Sequence, residues 1–300
     1  MPIPFTCPHC GEQTLADDRY AGHEGPCVNC GWTVTIPTDS PRVAAVPAAS
    51  GDTALVRNRV QRMLVAAGVL ALLAAFVGLG LLLVGPAVQA GRSAALRHRC
   101  ATNLQQLALA LAAYERDYGA YPPAYTVGPD GKPWHSWRVL VLPYLGTAEN
   151  QLYHRYDRGQ PWNAPHNVQL LSSIPTVFVS PADEVAAARN QTSYLAIVAP
   201  DMVFTGSSST ASSEIGDGLD QTIVLVETRG SGIGWTEPRD LDGQAIAYRI
   251  GTDIGGNHPR GVNVATADGE THFLPDTVSP EELHAMLTRS GGEGVFVAED

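Results

Sequence analysis

Residues 63–88 read MLVAAGVLALLAAFVGLGLLLVGPAV, 26 residues without one charged or hydrogen-bonding side chain. A helix needs about 20 apolar residues to cross the hydrocarbon core of a bilayer, so this run can span it with some tilt. A buried helix of a soluble domain would show a polar face over such a length. Val88-Gln89-Ala90 imitates a signal-peptide cleavage site, but 62 residues precede the run, whereas a signal peptide starts within the first few. The expectation is an uncleaved anchor, with a transmembrane helix over residues 63–88.

The chain continues past the anchor as QAGRSAALRHRCATNLQQLALALAAYERDYGAYPPAY. Cys100, Leu104, Leu107, Leu111, Tyr114 and Tyr118 recur every three or four residues, which places them on one helical stripe. Gly119, with Pro122 and Pro123 beyond it, should end that helix. Such a stripe must be covered, and the apolar runs near the C-terminus are the available partners.

Charge is unevenly spread. The 300 residues carry a net charge of -11, yet no Asp or Glu lies between Thr53 and Tyr114, while Arg57, Arg59, Arg62, Arg92, Arg97 and Arg99 flank the anchor. Residues 101–300 hold 24 acidic side chains against 11 Lys or Arg. An acidic body behind a basic collar disfavours nucleic acid and suits a globular part held at a membrane. Three arginines at each end leave the positive-inside rule close to a tie.

Four of the five cysteines fall in the first thirty residues, as CPHCG (Cys7, Cys10) and CVNCG (Cys27, Cys30), with 16 residues between the inner pair. Two thiolates on a tight turn, followed by a glycine that lets backbone amides face sulfur, make one knuckle. Two knuckles complete a closed tetrahedral site of the structural Zn2+ kind, and residues 1–36 resemble the zinc ribbon family. His9 and His23 are then surplus to the ligand set, and Trp32 should pack on the small core. Arg19 is the one basic residue in the first 41, against Glu12, Asp17, Asp18, Glu24 and Asp39. A nucleic-acid ribbon needs a basic face, so a protein partner is the better expectation here. A tetrathiolate stays reduced most easily in the cytoplasm, which orients the N-terminus inward. Residues 37–62, opening with the Pro, Ala and Ser of PTDSPRVAAVPAASGD, read as a flexible linker.

PAVQAGRSAALRHRCATNLQQLALALAAYERDYGAYPPA, SWRVLVLPYL, QLYHRYD, DGLDQTIVLVE, WTEPRDL and HPRGVNVATADGETHFL occur in that order. Over roughly residues 84–290 the chain thereby resembles a bacterial pseudopilin-like family of unknown function. That family carries a His-x9-Asp-Gly signature, here His258, Asp268 and Gly269, and is sometimes catalogued under a solute-binding heading. The resemblance implies an α+β, type IV pilin-like domain over residues 89–300, its long N-terminal helix packed on an antiparallel sheet. It implies a single-pass protein of a bacterial inner membrane with this domain extracytoplasmic, and no established activity. Relatives begin with a prepilin leader and a glutamate early in the apolar run; this chain has neither there, so processing and pilus assembly are not expected. Relatives also carry a Cys-Pro-Ser-Asp element that pairs with the helix cysteine. Here the stretch is VFVSPADE, with Ser180 before Pro181, which leaves Cys100 an unpaired thiol rather than a nucleophile.

Little else suggests chemistry. GSGIGW (residues 230–235) only imitates a dinucleotide fingerprint, and DGLD lacks the ligand spacing of a calcium loop for Asp217, Asp220, Glu227 and Glu237. Glu227, closing the buried run TIVLV, is expected to meet water or Arg229. Trp134, Trp137, Trp162 and Trp235 either pack in the core and its rim or line a groove for a glycan or peptide. Ser279-Pro280-Glu281-Glu282 is a capping box that should start a helix running to about Arg289. Asp268-Gly269 should form a two-residue hairpin turn that sets Ala267 opposite Glu270 and Val264 opposite Phe273, with Val262, Val264 and Phe273 on one face. An extended Val262–Ala267 would hold the turn about 20 Å from the loop of His258, so His258 and Asp268 mark opposite ends of a strand rather than one site. The sequence thus describes a noncatalytic, membrane-anchored structural or interaction protein with protein partners at both ends. The alternative is an extracytoplasmic solute- or glycan-binding protein.

Overall fold

The structure, a computed structural model, describes residues 2–38 and 52–292. The chain divides into two units, residues 1–78 and 79–300. The N-terminal unit opens with two small antiparallel hairpins, β1 (Ile3–Thr6) with β2 (Gln13–Ala16) and β3 (Glu24–Pro26) with β4 (Thr33–Thr35). Its apolar interior is little more than Cys7, Cys27 and Val34, with Phe5 and Cys30 against them. So small a core cannot be expected to hold two hairpins without a crosslink. Trp32, expected on that core, is instead exposed and stacks on exposed His9, their rings 4.9 Å apart. His23 is exposed as well.

Helix α1 runs unbroken over Asp52–Tyr118. The expected membrane segment is therefore not a separate element but the first part of a longer helix. Residues 89–99 are mostly Ala, Arg, Leu and other helix formers, and Gly119 at φ +78° is where the helix stops. The expected linker shortens accordingly, because residues 52–62 are helical and residues 39–51 lie outside the described ones. α1 is long and apolar enough to cross a membrane, and among the described residues its most apolar stretch is buried against none.

Past Gly119 the chain forms β5 (Tyr125–Val127) and β6 (Pro133–Ser136), then α2 (Trp137–Leu140), α3 (Thr147–Arg155), α4 (Pro165–Gln169) and α5 (Glu184–Ala188). The remaining elements are β7 (Tyr194–Leu195), β8 (Ile197–Val198), β9 (Ile223–Glu227), β10 (Leu241–Asp242), β11 (Gly261–Thr266), β12 (Thr271–Pro275) and α6 (Pro280–Leu287). The main sheet is antiparallel with strand order β12-β11-β9-β7. Every residue of β9 and β11 is buried, as strands covered on both faces require. One face meets α1, where Leu104, Leu107 and Leu111 share a core with Leu225, Ala265 and Ala267. The other meets α6, where Leu283, Met286 and Leu287 pack with Val226, Val262, Val264 and Leu274. This unit is α+β, one long helix packed against antiparallel sheet. The stripe holds from Cys100 through Leu111, all fully buried, whereas Tyr118 is exposed and stacks on Tyr114.

The capping box forms as the sequence predicts, Ser279 Oγ accepting from Glu282 N and Glu282 Oε2 from Ser279 N, and α6 ends two residues early at Leu287. The last hairpin differs by one position. Val264 lies opposite His272 and Asn263 opposite Phe273, so Phe273 leaves the face of Val262 and Val264, and Leu274 takes its place. The loop has three residues, with Thr266 accepting from Gly269 N and Gly269 alone at positive φ, +97°. That is a type I turn followed by a left-handed glycine rather than a two-residue primed turn. Tertiary contacts select it, because Ala267 N and Asp268 N donate to Thr222 O and Leu219 O outside the hairpin.

Candidate functional site

Hairpin turns at residues 7–11 and 27–31 bring Cys7, Cys10, Cys27 and Cys30 together, their sulfurs all within 4.8 Å of one another. Gly11 and Gly31, at φ +76° and +74°, take the left-handed conformation that closes each turn, their amides donating to Cys7 O and Cys27 O. Across the hairpins Cys7 Sγ lies 3.8 Å from Cys30 Sγ, and Cys10 Sγ 3.9 Å from Cys27 Sγ. A disulfide needs about 2.05 Å, and all four cysteines are free. Four thiolates at about 2.3 Å from one tetrahedral ion would stand about 3.8 Å apart, so the set fits a metal ion. The Cys27 thiol is lowered to about 6, chiefly by the backbone amides of Cys30 and Asn29 facing its sulfur, whereas Cys30, despite the Trp32 amide, is pushed up to about 12 by burial and the neighbouring sulfurs. A cation among them would favour the thiolate form of all four.

The tryptophans separate into two classes. Trp137 and Trp235 are fully buried. Trp134 and Trp162 are half-buried and line a cleft of about 430 Å3 with Asp130, Asn163, Glu237 and Arg239. Trp134 is fixed by its indole N–H, which donates to Asp130 Oδ1 at 2.8 Å, and by packing on Gly128, where a Cβ would clash with the ring. Trp162 N donates to Trp134 O, and Arg239 Nε meets Glu237 Oε1 at 2.8 Å. Flat apolar rings beside carboxylate, amide and guanidinium groups suit a polar ligand with apolar faces.

A third group lies in the core, where α1 crosses the sheet. Cys100 and Glu227 are fully buried, and His258 is 8% exposed. Glu227 and Asn263 sit side by side on β9 and β11 on the face toward α1. Asn263 Nδ2 donates to Glu227 Oε2 at 2.8 Å, and Ser180 Oγ donates to Glu227 Oε1 at 3.0 Å. Ser180 Oγ also lies 3.0 Å from Cys100 Sγ. The loop before β11 turns the His258 imidazole inward, Nε2 3.3 Å from Glu227 Oε1. Burial alone would lower the pKa of His258, but Cys100 and Glu227 raise it to about 9.

Two sequence expectations change here. Glu227 is fully buried and bonds Ser180 and Asn263 instead of facing solvent or Arg229, and His258 is part of a buried polar group rather than a mark at the start of a strand. His258 and Asp268 take part in separate sets of contacts. Asp268 Oδ1 accepts from Thr266 Oγ1 at 2.7 Å and from Glu270 N at 3.1 Å, and so shapes the turn beyond β11 with Gly269. One signal for the buried group is present in the sequence: a carboxylate continuing the uninterrupted apolar run IVLV has no solvated face to turn to. Asp217, Asp220, Glu227 and Glu237 do not converge. Asp217 accepts from Gly291 N and Gly292 N, and Glu237 faces the tryptophan cleft.

Buried Arg138 is the other functional-looking charge that the sequence does not reveal. Ser136 caps α2 and accepts from Arg138 Nη1 at 2.8 Å, while Arg138 Nη2 meets Asp240, whose Oδ1 also accepts from Ala196 N and Trp137 Nε1. The Nη1 and Nη2 donors reach Ser136 Oγ, Tyr194 O and Asp240, so the pair ties β6, β7 and the residue before β10 together, while the buried Arg138 Nε has no partner among the described residues.

Residues 89–199 match a family described as "Protein of unknown function (DUF1559)", with the short label SBP_bac_10. No curated protein and no solved structure matches the chain.

Proposed function

We propose that this chain is a noncatalytic, single-pass protein of a bacterial inner membrane that binds a solute, of which a glycan is the best-fitting class, through its extracytoplasmic domain. The observation that carries this reading is the cleft between Trp134 and Trp162, where two half-exposed rings stand beside Asp130, Asn163, Glu237 and Arg239. Sugars offer an apolar face to such rings and hydroxyls to such polar groups. The label of the matched family agrees with it. In this reading α1 is the anchor, and the N-terminal hairpins stay in the cytoplasm around a structural Zn2+ held by Cys7, Cys10, Cys27 and Cys30. They serve there as a small surface for a protein partner, not for nucleic acid. A structural, pseudopilin-like role is the second reading, favoured by the long helix packed on an antiparallel sheet.

The test is a thermal-shift and tryptophan-fluorescence screen of the detergent-solubilised full chain against neutral and acidic oligosaccharides and short peptides. One ligand class should raise the melting temperature and change the emission, and Trp162→Ala should abolish both effects. Silence across every class would leave the structural reading in its place. Protease applied to spheroplasts should remove epitopes after residue 119 and spare those before residue 38.

A further inference from the structure

Cys100, Glu227 and His258 reach one point from three parts of the chain: the stripe of α1, the end of β9 and the loop before β11. One ligand atom from each lies within 4.8 Å of the others. We propose that these three side chains form a second metal site, distinct from the N-terminal thiolates, that takes Zn2+ or a similar divalent transition metal in the interior of the domain.

The geometry of His258 argues this most directly. Its Nε2 is buried and stands 3.3 Å from Glu227 Oε1, close enough for the carboxylate to stabilise its charge, yet no described group meets it with the alignment of a true hydrogen bond. A buried imidazolium and carboxylate held together as a pair would align N–H on oxygen. Two neighbouring groups that approach this closely without bonding each other point at a common third position. Ligands of a tetrahedral ion at about 2.0–2.3 Å stand roughly 3.3–3.8 Å apart; His258 Nε2 and Glu227 Oε1 have that spacing, and Cys100 Sγ lies within 4.8 Å of both.

The surroundings are those of a ligand set. Asn263 holds Glu227 Oε2 at 2.8 Å and leaves Oε1 facing Cys100 and His258. Ser180 Oγ, 3.0 Å from both Cys100 Sγ and Glu227 Oε1, supplies a fourth oxygen or orients a water there. Gly256 leaves room for the carboxylate, since a Cβ there would come within 2.5 Å of Glu227 Cδ. A thiolate and a carboxylate with a dication and a neutral imidazole sum to zero charge, as burial demands. The soft thiolate with imidazole and carboxylate selects zinc-like ions over magnesium or calcium. A cleft of about 280 Å3 between α1 at Ser93 and Arg97 and the loop at Pro259 and Arg260 reaches His258 and gives an ion a way in.

The experiment uses the full chain in detergent, loaded with Zn2+ and dialysed against metal-free buffer. Metal analysis should give about two equivalents per chain, and about one in the variant Cys7→Ser/Cys10→Ser/Cys27→Ser/Cys30→Ser. In that variant Cys100 is the only cysteine, so after exchange to Co2+ any thiolate-to-cobalt charge-transfer band reports Cys100 with no change to the site. The band should appear, and His258→Gln should remove it together with the bound metal. A variant that holds less than about half an equivalent, or that binds Co2+ without the band, overturns the proposal. So does binding that survives both His258→Gln and Cys100→Ser. In each of these cases Glu227 and His258 are an ion pair and nothing more.

Discussion

Arg138 and Asp240 face each other with side chains 0% and 1% exposed. Two charges removed from water are tolerable together and costly apart. Asp240→Ala should therefore destabilise the domain by about 3–5 kcal/mol, because it strands a buried guanidinium and also frees Ala196 N and Trp137 Nε1. Arg138→Met with Asp240→Leu should cost far less than either single change. Denaturant unfolding of the four proteins checks this, and additive losses would contradict it.

Gly269 sits at φ +97°, and a Cβ there would meet Leu109 Cδ2 of α1 at 2.7 Å. Gly269→Ala should cost about 1–2 kcal/mol from the left-handed backbone alone, with the clash added. Leu109→Ala should relieve the clash but not the backbone term. The double-mutant cycle should thus show coupling between a hairpin turn and a helix distant in sequence.

His135 is buried with Nδ1 on Tyr156 Oη and Nε2 on Arg158 O, and its pKa is lowered from the usual 6.5 mainly by burial, with the Arg158 charge adding to this and Asp157 opposing it. The folded state resists protonation that the unfolded chain accepts, so below about pH 6.5 unfolding takes up a proton and stability falls. Its contribution is complete above that pH. Thermal melts from pH 6.5 to 5 should fall, and His135→Gln should flatten that part of the slope. An unchanged slope would remove His135 as its cause.

Stripping metal from the N-terminal thiolates should unfold both hairpins. Cys7 N→Glu12 O and Cys27 N→Trp32 O close the two knuckles, and the apolar interior there is too small to hold them unaided. Hydrogen exchange with and without a chelator should show protection lost at these amides. Retained protection would mean that the hairpins need no ion.

What the sequence reveals follows the range of the interaction. Spacings within one turn or one helix, such as the Cys-x2-Cys pairs, the stripe from Cys100 to Leu111 and the Ser279 cap, have a single local solution. The hairpin at Asp268 lies one residue from the expected register because distant carbonyls at Leu219 and Thr222 decide between two turns that suit Asp-Gly equally. The group at Cys100 is further out of reach. It exists only once β9 and β11 have paired in register and α1 has crossed them, and no periodicity in the sequence encodes that crossing. The split among the tryptophans is likewise a result of packing, since Trp134 and Trp137 lie three residues apart and end on opposite sides of the surface.

The unbroken α1 also sets an order of events during synthesis. Its buried stripe leaves the ribosome well before the sheet that covers it: Asn263 bonds Arg97 O across 166 residues, and Tyr121 bonds Ala267 O across 146. Leu104, Leu107 and Leu111 must therefore wait uncovered until the last strands arrive. During that interval the nascent helix is a natural client for a chaperone or for the bilayer surface beside it, and contacts this non-local make folding slow.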